Sequence, residues 1–201
     1  MSQKTGAIVL AGGRSKRFGA DKRAASLSGR TLFDRAIDNA CQQASVVIVS
    51  ASILNNAPAP IPHGLPLVFD ETPDQGPLAG VSAGLNWFHE HQCDIPRVAI
   101  FCADTPFLPA DFVARLNTAH TGRIALSHYG KRAHYTCAGF PVAAHQALTE
   151  FLATGARRAE DFIRSFGYDE IDFSQLEEDP FFNINTAEDL KTANARFSAK
   201  S

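Results

Sequence analysis

Short apolar runs alternate along the chain with longer segments whose apolar residues recur every three or four positions, the pattern of a largely parallel sheet covered on both faces by helices. Gly6 to Ala11 (GAIVLA), Val46 to Ser50 (VVIVS), Pro66 to Asp70 (PLVFD) and Arg97 to Cys102 (RVAIFC) read as strands. Between them, Thr31 to Gln42 predicts a helix with Leu32, Phe33, Ala36, Ile37 and Ala40 on one face, and Leu78 to His89 predicts another behind a Gly-Pro start. Beyond Pro109 the pattern predicts a helix to about Ala119, strands near Ile124–Ser127 and Tyr135–Phe140, and helices near Val142–Leu152 and Ala159–Phe166. Thr186 to Phe197 closes the series as a helix, with Thr186 as N-cap and Asp189 completing a T-x-x-D box. There is no internal repeat, low-complexity stretch or linker, so a single α/β domain over residues 1–201 is expected.

Composition narrows the function classes. A formal net charge of −2 argues against a general nucleic-acid binder, so any polyanion must be met by a local site. No apolar run approaches the roughly 20 residues needed to cross a bilayer, and Met1 to Thr5 leads into a strand without a signal-peptide core. Cysteines 41, 93, 102 and 137 form no C-x-x-C pair and read as small buried hydrophobes in a reducing compartment, which makes the cytoplasm the expected location. The seven histidines show no metal-ligand spacing.

The sharpest chemistry lies just after the first strand, in Leu10-Ala11-Gly12-Gly13-Arg14-Ser15-Lys16-Arg17-Phe18-Gly19-Ala20-Asp21-Lys22. Paired glycines let the backbone turn tightly and present N–H groups to phosphate oxygens. Arg14, Lys16, Arg17 and Lys22 concentrate positive charge there in a chain that is slightly negative overall. The glycine spacing fits neither G-x-x-x-x-G-K-S/T nor G-x-G-x-x-G, which disfavours a P-loop NTPase and a dinucleotide-binding dehydrogenase. An exposed basic turn is the alternative, weakened because ligands in α/β sheets sit at the carboxyl ends of strands. Two carboxylates also fall where apolar runs stop. Asp70 ends PLVFD, and Asp104 follows RVAIFCA. Such a carboxylate suits Mg²⁺, which takes one or two protein carboxylates and fills its shell with phosphate and water oxygens. Asp104 suits a turn or helix cap equally well on residue chemistry alone, since Thr105-Pro106 follows it.

The glycine turn resembles the L-A-G-G-x-S-x-R-x-G-x-D-K signature of nucleotidyltransferases with a MobA-like (molybdenum cofactor guanylyltransferase) fold. Four further stretches extend the likeness over nearly the whole chain: Asp70 with Gly76-Pro77-Leu78-Ala79-Gly80, Phe101 to Pro109, Gly155 to Arg158, and Phe182 to Leu190. The resemblance implies a three-layer, Rossmann-like nucleotidyltransferase fold with a mostly parallel central sheet. It also implies transfer of GMP from GTP to molybdopterin, with Mg²⁺ as cofactor and Asp104 as its ligand. Leu10, Ala11, Gly12 and Gly13 would meet base and phosphates, Lys22 would neutralise the triphosphate beside Arg14 and Arg17, and Asp70 would contact the nucleotide. Arg157, Arg158, Asn183 and Asn185 would hold the acceptor. His134 falls where the family often has a His-Pro pair, with Tyr135 in place of the proline; lining the acceptor site is one role for it and a structural histidine near a strand the other. For Asn185, capping of the last helix is the competing role; for the two arginines it is a solvated helix start. Ser50 stands where the guanylyltransferases carry an asparagine that helps hold the nucleoside. It reaches less far, so a cytidylyltransferase acting on the same cofactor stays open. A non-catalytic nucleotide- or cofactor-binding protein is the rival from another class, and a sugar-nucleotide pyrophosphorylase would need a longer chain. Neither a nucleic-acid nor a membrane partner is expected; contact with molybdoenzyme maturation proteins is compatible with the resemblance.

Overall fold

A computed structural model describes residues 4–11, 25–52, 64–70 and 76–199. Strand β1 (Thr5–Leu10) is buried at all six positions, as expected of a central strand covered on both faces. A small hairpin of β2 (Ser26–Leu27) and β3 (Arg30–Thr31) follows, turning through Ser28 and Gly29, both at positive φ. Helix α1 (Leu32–Gln43) starts where the Thr31 side chain accepts the Asp34 N–H at 3.0 Å. It buries Leu32, Phe33, Ala36, Ile37 and Ala40, the five positions its periodicity selects. Then come β4 (Val46–Ser52), β5 (Leu67–Asp70), α2 (Pro77–His91) and β6 (Arg97–Cys102). The second half adds α3 (Phe112–Leu116), β7 (Ile124–Tyr129), β8 (Arg132–Pro141), α4 (His145–Ala153), α5 (Ala159–Phe166), β9 (Tyr168–Asp172) and α6 (Ala187–Ser198).

The strands form one seven-stranded sheet in the order β5-β4-β1-β6-β8-β7-β9. Only β8 runs against its neighbours; the other pairings are parallel. Side chains alternate between two cores. Ala7, Val9, Val49 and Phe101 face α1 and α3, while Ile8, Leu10, Ile48 and Ile100 face α2, α4 and α5. A third cluster of Leu27, Leu32, Ile184 and Ala193 seats α6 on the β2–β3 hairpin. No helix among the described residues is long and apolar enough to cross a membrane.

Several expectations change in detail. The helix after Pro109 ends at Leu116 instead of about Ala119, because the buried Arg97 guanidinium takes the Ala119 and His120 carbonyls at 3.3 and 2.7 Å. The segment from Val142 opens as a short 3₁₀ turn before α4 begins at His145. Strand β9 was not foreseen: in YDEID only Ile171 is buried, so an edge strand here lacks a legible apolar pattern. Cys102 and Cys137 are buried as expected, but Cys41 and Cys93 are exposed; all four are free thiols.

Candidate active site

The strand order reverses direction at β1, which has β4 on one side and β6 on the other. Ligands in open α/β sheets bind beyond the carboxyl ends of strands at such a switch point. A row of paired residues crosses the sheet there: Val68, Ser50, Leu10 and Cys102. Asp70 and Asp104 each stand two residues past that row, on β5 and on the turn after β6. Their strands lie three spacings apart, about 14 Å. The two carboxylates therefore flank the β1 exit. Ala11 leaves the sheet between them, its N–H donating to the Ser50 carbonyl at 2.8 Å. Gly12, Gly13, Arg14, Lys16, Arg17 and Lys22 lie outside the described residues.

Local structure fixes each flank. Gly76, at φ +71°, caps α2, and Pro77 opens its first turn. Gly80 then passes so close to the sheet that a Cβ on it would lie 2.9 Å from Ser50 Oγ and 3.0 Å from Leu10 Cδ2. Ser50 is accordingly buried beneath α2, its hydroxyl without a hydrogen-bond partner among the described residues. Asp70 is half-buried. Burial pushes its carboxyl above the usual range against an opposing hydrogen bond from Ser52, and its Oδ1 finds no partner among the described residues.

On the other flank, Ala103 and Asp104 are the central residues of a turn closed by the Thr105 N–H donating to the Cys102 carbonyl at 3.1 Å. Half-buried Asp104 receives the Ile184 N–H on its backbone carbonyl at 2.9 Å. This bond brings the late segment containing Asn183 and Asn185 against the Asp104 turn. Asn183 is half-buried with its Oδ1 unpartnered among the described residues, while Asn185 is exposed just ahead of the α6 capping box. Strand β8 makes room here. Its pairing with β6 covers Arg97 to Ala99, and between the pairs Leu126–Ala138 and His128–Ala133 it advances five residues to two on β7. His134 lies in that irregular stretch, buried and stacked on Phe181 at 4.3 Å, and burial lowers its pKa to about 4. It is a neutral imidazole at working pH and cannot serve as a phosphate-binding cation.

Arg157 and Arg158 are exposed in the connection between α4 and α5. Since β8 runs antiparallel, α4 climbs back toward the carboxyl edge and α5 descends to β9, so their connection lies on the Asp104 side of the sheet. The Arg157 guanidinium presently donates to the Leu152 and Ala156 carbonyls at 3.0 and 2.7 Å. Thr105, Ile184 and Phe181 have no site role legible from residue type; of the three, only Thr105 carries a local signal, the Thr-Pro pair after Asp104.

Residues 7–171 match the family profile described as the MobA-like NTP transferase domain. The chain belongs to that family. Relatives that cover most of the sequence agree with the MobA-like assignment. A molybdenum cofactor guanylyltransferase from Mesorhizobium japonicum is 37% identical, the match covering 96% of each chain. One from Acidiphilium cryptum is 39% identical over 94% of this chain and 93% of its own. Among solved structures, molybdopterin-guanine dinucleotide biosynthesis protein A from Archaeoglobus fulgidus superposes with a TM-score of 0.77 at 18% identity, covering 96% of this chain and 99% of that one. A 2-C-methyl-D-erythritol 4-phosphate cytidylyltransferase from Thermus thermophilus gives 0.65 at 21% identity, over 95% and 98%.

Proposed function

We propose that this MobA-like nucleotidyltransferase moves GMP from GTP onto molybdopterin, forming the guanine dinucleotide and releasing pyrophosphate. The observation that carries the proposal is the backbone hydrogen bond from Ile184 to the Asp104 carbonyl, which holds the turn bearing this strand-end aspartate at the switch point against the segment of the asparagines expected on the acceptor side. The names borne by relatives at 37–39% identity support the same choice of substrates.

Asp104 is the residue proposed to hold Mg²⁺. No group of three or more His, Cys, Asp or Glu able to hold a metal occurs among the described residues. A single hard oxygen donor beside a polyphosphate suits an ion that takes its other ligands from substrate and water. When bound, the ion would neutralise charge on the triphosphate and the leaving pyrophosphate. The chain's own part is alignment. Gly12, Gly13, Lys22, Arg14 and Arg17 would grip the triphosphate, Asp70 the nucleoside, and Asn183, Asn185, Arg157 and Arg158 the acceptor. The acceptor's terminal phosphate attacks the α-phosphorus as pyrophosphate leaves. That phosphate is already largely ionised near pH 7, so no general base is required.

Buried Ser50 favours one second reading, a cytidylyltransferase on the same acceptor, because its hydroxyl reaches less far than an asparagine amide. Pyrophosphate release measured with GTP, CTP and ATP in parallel, each with molybdopterin, separates the two. Release confined to CTP contradicts the guanylyl assignment.

A further inference from the structure

We infer that Thr105 is a positioning residue for Asp104, holding the carboxylate where the metal and triphosphate need it without touching either. Thr105 is buried at 4% exposure, and its hydroxyl donates to the Cys102 carbonyl at 3.0 Å. Its own N–H donates to the same oxygen at 3.1 Å. Two donors from one residue thus lock the end of β6 to the far side of the turn, with Ala103 and Asp104 between. The hydroxyl is itself held, accepting from the Cys137 thiol at 3.7 Å, while Cys102 Sγ donates to the Thr136 carbonyl at 3.5 Å. These contacts tie the turn to β8 where β8 has stopped pairing with β6. Pro106 adds a fixed ring next in sequence, disfavouring helical backbone at Thr105. From the other side, Ile184 N–H restrains the Asp104 carbonyl. A serine could keep the hydroxyl bonds; valine, of similar shape, would lose them. Partners hydrogen-bonded directly to a metal ligand are worth about 10- to 100-fold in metal affinity or activity, and a restraint acting through the turn falls at the lower end of that range.

The inference rests on the proposal that Asp104 holds the metal, and the test separates the two. Mn²⁺ binding to the full chain with GTP is followed by electron paramagnetic resonance, alongside the Mg²⁺ dependence of turnover and thermal melting. Thr105→Val should weaken Mn²⁺ about tenfold and raise the Mg²⁺ concentration for half-maximal rate, with kcat recovering at saturating Mg²⁺. Thr105→Ser should bind within about twofold of the parent, since it keeps the hydroxyl. If the valine variant does not fold, Thr105→Ala carries the same expectation. Should Thr105→Val or Thr105→Ala bind Mn²⁺ like the parent while Asp104→Asn loses it, the positioning role is wrong and the metal assignment survives. If Asp104→Asn also binds like the parent, the metal assignment fails first.

Discussion

Replacing Gly80 with alanine sets two effects of opposite sign against each other. In a helix interior the change ordinarily gains about 1 kcal/mol from propensity. Here the new methyl would meet Ser50 Oγ at 2.9 Å and Leu10 Cδ2 at 3.0 Å. Both side chains are buried, at 2% and 7% exposure, so neither can swing into solvent. Overpacking of this kind costs about 1–3 kcal/mol. The balance is a destabilisation of about 1 kcal/mol, or a fall of about 2–4 °C in Tm for a chain of this length. Ser50→Ala removes the nearer obstacle, a hydroxyl that makes no hydrogen bond among the described residues. The double variant should therefore recover stability beyond additivity by at least about 0.5 kcal/mol. Urea unfolding at constant m-value measures all three variants. A Gly80→Ala protein stabilised by its full propensity gain, or strictly additive with Ser50→Ala, would refute the packing argument.

Three further outcomes follow from buried polar groups. Arg97→Met removes the fork that serves the Arg123, Gly139, Ala119 and His120 carbonyls and should cost about 2–4 kcal/mol, with lysine restoring little; an unchanged thermal midpoint contradicts this. Burial raises the Asp70 pKa, so its ionised form opposes folding. Asp70→Asn should raise Tm at pH 7, lose that advantage as the pH falls through the raised pKa to below the ordinary carboxylate range, and weaken GTP binding in a titration; equal Tm values at pH 7 would count against it. His134 has its folded pKa lowered to about 4, so the unfolded chain binds that proton more tightly. Stability should fall by about 2–3 kcal/mol from pH 6.5 down to 4 through this group, and His134→Phe should flatten that part of the profile. An imidazole resonance titrating near pH 6.5 would contradict it.

Much of this architecture was legible because its causes are local. The five buried positions of α1 follow from helical spacing, and the α6 capping box follows from Thr186 and Asp189 three residues apart. Strand-end carboxylates were readable as well, since Asp70 and Asp104 interrupt apolar runs. What stayed hidden depends on contacts between distant segments. Arg97 shortens α3 by binding carbonyls more than twenty residues away, β9 forms because an edge strand needs one buried side, and Ile184 meets Asp104 across eighty residues. Ser50 illustrates the same limit from the other direction. Its residue type hinted at base choice, but its burial under Gly80 is set by how closely a helix approaches the sheet.

The role proposed for Asp104 is to support nucleotidyl transfer at the switch point between β1 and β6. Its most direct test is molybdopterin-dependent GMP transfer from GTP in Mg²⁺ by the parent and by Asp104→Asn, with folding checked by melting. A loss on the order of 10²–10³-fold is expected, comparable to removing one transition-state charge stabiliser. Transfer at the parent rate by a folded Asp104→Asn protein would contradict it.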